Sequence, residues 1–141
     1  MLCFSHMRTF FVSYVSCLAS LAVLDGIWLT LIAKPFYARS LAHLLSPTVR
    51  WVPVVLFYLI YAAGISLLVV LPQLKQGHSA LMTLAFAALL GFIAYAAYDF
   101  TNLATLNKWP VLMSIVDMAW GTAMTGAAGL TAFLVVRRFG A

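Results

Sequence analysis

The chain has 141 residues, of which 65% are hydrophobic and only 8% are charged. The charged fraction is far below the roughly 25% of a water-soluble globule. The mean hydropathy of +1.07 excludes a disordered chain, because disorder requires low hydrophobicity. Eight basic and three acidic side chains give a net charge of +5. The basic residues are spread over every loop, which predicts contacts with lipid headgroups and no nucleic-acid binding.

Four long apolar segments occupy most of the sequence. We expect a single transmembrane domain with spans at about residues 10–33, 51–72, 79–106 and 109–136. All five prolines fall at or just outside the ends of these segments, where a missing amide hydrogen is tolerated. Because the second and third connections are short, neighbouring spans must run antiparallel. The sequence therefore predicts an all-α, four-helix antiparallel transmembrane bundle.

A short helix is also expected between spans one and two, lying in the membrane interface. Apolar residues recur there at near-helical spacing, namely Phe36, Tyr37, Leu41, Leu44 and Leu45. The alternative is a loop that carries a few anchoring aromatic side chains.

The three acidic residues, Asp25, Asp99 and Asp117, all fall inside predicted spans. An aspartate at a span centre opposes membrane insertion by about 2.5–3.5 kcal/mol, so each carboxylate requires compensation or has a use. Helix rise, counted from the nearest span end, places each of them about 10–12 Å inside the same membrane face. The sequence thus predicts one layer that holds all of the negative charge.

Aromatic and polar side chains share this layer. Trp28 follows Asp25 by three residues and Trp120 follows Asp117 by three, so each pair lies on one helix face. The other candidate ligand-binding residues come from spans two and three, and they are Tyr58, Tyr61, Tyr95, Asp99 and Asn102. We expect a cavity that opens toward one membrane face. The opposite half of the bundle offers mostly Leu, Val, Ala and Gly.

Small residues on spans three and four predict a close approach of these two helices, as is common in membrane proteins. They are Gly91 and Ala94 on span three, and Gly121, Thr125, Gly126, Ala128 and Gly129 on span four.

A continuous pattern on span three, Tyr95, Tyr98, Asp99, Thr101, Asn102, Leu103, Ala104 and Thr105, is followed by Trp109 and Pro110. With this pattern the chain resembles a bacterial family of small four-span predicted membrane proteins that is classed as a domain of unknown function. The similarity continues through the segments around Asp25, His43, Tyr58 and Asp117, and so covers nearly the whole chain. It implies four spans in a bacterial membrane and no particular activity.

Three hypotheses account for the buried carboxylates. The first is a site that binds or transports a cation or a cationic amphiphile, because carboxylates supply charge and aromatic faces attract cations. The second is a membrane-embedded enzyme that acts on a lipid or isoprenoid, with one carboxyl as general acid and another as general base. The third is a purely structural role, in which the aspartates join helices through hydrogen bonds or through ion pairs with Lys34, Arg50 or Lys108.

No cofactor, metal site or catalytic residue is assigned from the sequence. Cys3 and Cys17 are the only cysteines and no histidine lies within a predicted span, so a zinc site has too few ligands. The expected partners are membrane lipids and a small-molecule or lipid ligand, and a homo-oligomer is possible.

The sequence gives little indication of the membrane orientation. The basic residues divide four against four between the two faces, so the positive-inside rule does not decide. We expect the chain to cross the inner membrane of the cell. The adjacent Arg137 and Arg138 favour an orientation with both termini in the cytoplasm.

Overall fold

The structure is a computed structural model, and most of the residues that it describes are helical. It describes residues 2–139, with side chains from residue 6 onward, so the side chain of Cys3 lies outside it. In chain order the elements are α1 (Leu2–Ile27) with a π-helical turn (Trp28–Ile32), α2 (Lys34–Ser40), α3 (Trp51–Ile65) with a second π-helical turn (Ser66–Val70), α4 (Leu71–Lys75), α5 (Ala80–Thr105) and α6 (Val111–Phe139).

Four helical stretches are long and apolar enough to cross a membrane. They are His6–Ile32, Trp51–Lys75, Ala80–Thr105 and Val111–Phe139, referred to below as spans one to four. The prediction of an all-α, four-helix antiparallel bundle is therefore confirmed, and α2 confirms the short helix between spans one and two.

The short helix α2 is set off from span one by Ala33. Pro35 lies in its first turn, where an amide hydrogen would have no acceptor within the helix. The helix ends at Ser40, and the amide of Leu41 donates to the carbonyl of Tyr37 at 2.9 Å. Leu44 and Leu45, which we expected on this helix, lie beyond its end.

Span two continues beyond Pro72 because its hydrogen bonding changes just before that residue. The amide of Leu71 donates to the carbonyl of Ser66, five residues earlier. In a regular α-helix the ring of Pro72 would clash with a carbonyl of the preceding turn. The wider π-helical turn relieves this crowding, so the helix runs on to Lys75.

Helix α6 lies at the centre of the packing, against α5 on one side and α1 on the other, and α1 also packs against α3. Small residues permit the close approach predicted for α5 and α6. A Cβ atom added at Gly91 would lie 2.4 Å from the carbonyl oxygen of Gly121, and one added at Gly129 would lie 2.5 Å from the Cβ of Ala87. In contrast, α5 meets span two mainly at the π-helical turn Ser66–Val70, which leaves α3 and α5 apart at the other end.

The half of the bundle away from the aspartates is less uniformly apolar than expected. Ser13 and Ser66 are fully buried there, and the Ser13 hydroxyl donates to the Ser66 Oγ at 3.0 Å. The Ser66 hydroxyl in turn lies 3.6 Å from the Cys17 Sγ. Because these groups are hydrogen bonded to one another, they are compatible with burial.

Candidate functional site

The carboxylate of Asp25 is held by donors from two other helices. The Tyr58 hydroxyl on α3 donates to Oδ2 at 2.6 Å, and the Trp120 indole on α6 donates to Oδ1 at 3.0 Å. Asp25 is only 7% exposed. Each oxygen of this buried carboxyl group therefore has a hydrogen-bond donor.

The carboxylate of Asp117 is held from the interfacial helix. The Tyr37 hydroxyl on α2 donates a short hydrogen bond to Asp117 Oδ1, and it accepts one from the Trp28 indole at 3.3 Å. Burial, and then the hydrogen bond to Asp117, raise the pKa of Tyr37 well above its usual range. The phenol therefore stays protonated, and remains a donor, at neutral pH.

The two tryptophans connect these two carboxylate sites. The rings of Trp28 and Trp120 stack with their centroids 4.4 Å apart and their planes 8° from parallel. We refer to the six residues in this network as the aromatic-carboxylate cluster, and they are Asp25, Trp28, Tyr37, Tyr58, Asp117 and Trp120. The cluster joins α1, α2, α3 and α6 near one end of the bundle.

Trp120 donates directly to Asp25 on the other helix, and Trp28 is linked to Asp117 only through Tyr37, whereas the sequence pairs Asp25 with Trp28 and Asp117 with Trp120. Antiparallel packing explains the exchange. Three residues span about 4.5 Å along a helix, and α1 and α6 run in opposite directions. Trp120 consequently lies level with Asp25, and Trp28 lies closer to the level of Asp117.

An open cavity adjoins the cluster where α3 and α5 stand apart. Its volume is about 450 Å³, and it is lined by Phe57, Tyr61, Ala94, Tyr95, Tyr98 and Asp117. The Tyr61 hydroxyl is hydrogen bonded to Thr125 at 2.8 Å, and its ring stacks on Phe57 with centroids 5.2 Å apart. A carboxylate thus borders a chamber whose other walls are mostly aromatic.

Asp99 and Asn102 do not join this network. Asp99 is fully buried, and neither of its carboxylate oxygens has a hydrogen-bond partner among the described residues. The Asn102 amide nitrogen is also buried without a partner there. The side chains of Ser114 and Trp109 lie beside Asp99, but the Trp109 indole donates to the Ser114 hydroxyl at 3.0 Å.

The predicted site residues therefore fall into three places. Asp25, Trp28, Tyr58, Asp117 and Trp120 belong to the cluster, Tyr61 and Tyr95 line the cavity together with Asp117, and Asp99 and Asn102 lie apart between α5 and α6. Within the described residues, the hydrogen bonds to Asp25 and Asp117 come from aromatic side chains. No ion pair there links an aspartate with Lys34, Arg50 or Lys108.

A model of a known family matches residues 10–134, and that family is described as predicted membrane protein. The chain belongs to this family, DUF2177. No curated protein and no solved structure matches it. Family membership agrees with the four apolar spans and assigns no activity.

Sequence reasoning missed several residues of this DUF2177 protein that contribute to the site. Tyr37 was interpreted only as part of an interfacial helix, yet it bonds to Asp117. Its spacing gave no signal, because 80 residues separate the two. Phe57 and Tyr98 line the cavity but were not among the candidate ligand-binding residues. Phe57 lies one turn from Tyr61, and Tyr98 lies one turn from Tyr95. Both of these tyrosines were candidates, and that proximity was the available signal.

Proposed function

We propose that the protein binds a hydrophobic organic cation or cationic amphiphile within the membrane, as the binding step for its transport. The observation that carries this proposal is the open cavity of about 450 Å³ in which Asp117 meets the rings of Phe57, Tyr61, Tyr95 and Tyr98. Small-molecule sites generally have volumes of about 300–1,000 Å³. The chamber is therefore large enough for a ligand with several apolar substituents.

The chemistry of the lining favours a positive ligand over a neutral or negative one. Asp117 supplies a formal negative charge, and none of the described residues that line the cavity is basic. Each aromatic face that a cation contacts adds about 0.5–2 kcal/mol, with the larger values for dry surroundings. An anion would meet both a carboxylate and the negative faces of the rings.

The hydrogen bond from Tyr37 leaves Asp117 able to interact with a ligand. A carboxylate can accept about four hydrogen bonds, and among the described residues Tyr37 is the one hydrogen-bonding partner of Asp117. The Tyr37 contact holds one oxygen of the carboxylate, and the Asp117 residue also lines the cavity. A diffuse cation requires no directed hydrogen bond and can approach from that side.

The test uses tetraphenylphosphonium as the probe and its uncharged analogue tetraphenylmethane as the matched ligand control. Isothermal titration calorimetry on the purified protein in detergent should detect binding of the phosphonium alone. We expect Asp117→Asn to weaken that binding at least tenfold, because the substitution removes the charge and keeps the shape.

Equal binding of both probes, or an unchanged affinity in Asp117→Asn, would refute the proposal. Thr105→Val provides a matched protein control, since its hydroxyl is bonded to the Thr101 carbonyl on the exposed side of α5. That variant should bind the phosphonium as tightly as the wild type.

A further inference from the structure

A second open cavity lies at the end of the bundle where span one begins and span two ends, and we refer to it as the terminal cavity. Its volume is about 640 Å³, and the residues that line it include His6, Leu67, Leu71, Leu74, Lys75 and Gln76. None of these residues lines the aromatic cavity. The proposed function therefore assigns no ligand to this space.

The lining of the terminal cavity changes from apolar to polar along span two. Leu67, Leu71 and Leu74 follow one another at intervals of four and three residues, so they form one stripe on the helix. Lys75 is the last residue of the span, and about 12 Å of helix rise separates it from Leu67. In a membrane-spanning bundle this arrangement would place the leucine stripe at the depth of the acyl chains and Lys75 at the level of the headgroups.

The charges at this end of the bundle favour an anionic ligand. Lys75 supplies a positive charge in the lining, and the His6 imidazole beside it can donate a hydrogen bond. Arg8, Arg137 and Arg138 add positive charge at the same end, whereas the three aspartates of the chain all occur toward the opposite end of the spans. A phosphate group would therefore meet donors and a positive potential, with no acidic side chain to repel it.

We propose that the terminal cavity binds an anionic phospholipid, with the phosphate beside Lys75 and His6 and an acyl chain along the leucine stripe of span two. A phospholipid presents a negative headgroup and an apolar chain in the same order as the two parts of the lining. A soluble anion would use only the polar mouth, and a neutral lipid would use only the stripe. This selectivity for a lipid is separate from the binding of a cation in the aromatic cavity.

Native mass spectrometry of the protein in detergent tests the proposal, with phosphatidylglycerol and phosphatidylcholine of identical acyl chains as probes. The wild type should bind phosphatidylglycerol more tightly, and Lys75→Gln should reduce this preference about fivefold, as expected for one basic residue at a membrane surface. Arg138→Gln is the matched control, because it removes the same charge outside the described lining and should keep the preference. Equal affinities of the wild type for the two lipids, or equal losses in the two variants, would overturn the proposal.

A second pair of variants tests the apolar part of the site without changing any charge. Leu67 lies in the lining and is 52% exposed, whereas Leu68 is 69% exposed and outside the described lining. Leu67→Trp should weaken the binding of phosphatidylglycerol, because the indole occupies the space of the acyl chain, and Leu68→Trp should bind as the wild type does. Equal affinities of these two variants, or displacement of the lipid by glycerol phosphate, would show that no acyl chain lies in the cavity and would overturn the proposal.

Discussion

Trp120 donates its indole N–H to Asp25, 95 residues earlier in the chain, and not to Asp117 on its own helix. The two partners lie on adjacent antiparallel helices, so this hydrogen bond ties the first span to the last. Trp28 lies on the opposite side of the stacked ring pair and donates to Tyr37. The cluster therefore holds α1 and α6 together close to α2.

The crossed pairing predicts which substitutions depend on each other. Trp120→Phe keeps an aromatic ring against Trp28 but removes the donor to Asp25, and we expect a loss of about 1–2 kcal/mol of stability because a buried acceptor atom loses its partner. Unfolding in mixed detergent micelles would measure it.

Double-mutant cycles separate the crossed pairing from the pairing suggested by sequence. Trp120→Phe combined with Asp25→Asn should show a coupling of at least about 0.5 kcal/mol, because the two side chains share a hydrogen bond. The combination of Trp120→Phe with Asp117→Asn should couple less strongly. The reverse order of the two coupling energies would contradict the crossed arrangement.

Tyr37→Phe tests the attachment of the interfacial helix. The substitution removes one hydroxyl that bonds to both Asp117 and Trp28, so we expect a loss of about 1–2 kcal/mol together with faster proteolysis of the connection between spans one and two. Limited proteolysis in detergent micelles measures the second effect.

Tyr14→Phe is the matched control for this change, because the Tyr14 ring stacks on Phe10 in the other half of the bundle. It should leave the cleavage rate of that connection unchanged. Equal rates in wild type and Tyr37→Phe would show that the hydroxyl does not hold α2 in place.

Glycines on different helices, Gly121 on α6 and Gly64 on α3, differ sharply in the space around them. A Cβ at Gly121 would lie 2.2 Å from the Tyr95 ring, whereas a Cβ at Gly64 would meet nothing within 4 Å. Gly121→Ala should lower the stability by about 1–3 kcal/mol, since the rigid ring has to shift. Gly64→Ala should be neutral or stabilising by up to about 1 kcal/mol, because alanine favours the helix. Unfolding curves of the two variants, recorded under the same conditions, provide the measurement.

Filling the cavity should block binding without altering any charge. Ala94 lies in the lining, and Ala94→Leu adds three carbon atoms to that space, so we expect the affinity for tetraphenylphosphonium to fall at least tenfold. Ala97→Leu adds the same atoms on the exposed side of the same helix and should bind as the wild type does. If calorimetry gave equal affinities for the two variants, the ligand would bind outside this cavity.

The sequence was sufficient to predict the four spans, because hydropathy depends only on local composition. It was not sufficient to predict partners across helices. The hydrogen bond from Trp120 to Asp25 depends on which spans are neighbours. The contact of Tyr37 with Asp117 depends on how α2 folds back onto the bundle. The Trp109 indole donates to Ser114, and no periodicity in the sequence encodes that contact.

The gap between α3 and α5 also determines the route by which a ligand would reach Asp117. Phe57 and Tyr98, which line the cavity, are 39% and 55% exposed on helices that are apolar enough to cross a membrane. A ligand that enters sideways is first concentrated by dissolving in the lipid. Apparent affinities across a series of compounds should therefore follow their membrane partition coefficients, and they become comparable only when expressed as mole fractions in the bilayer.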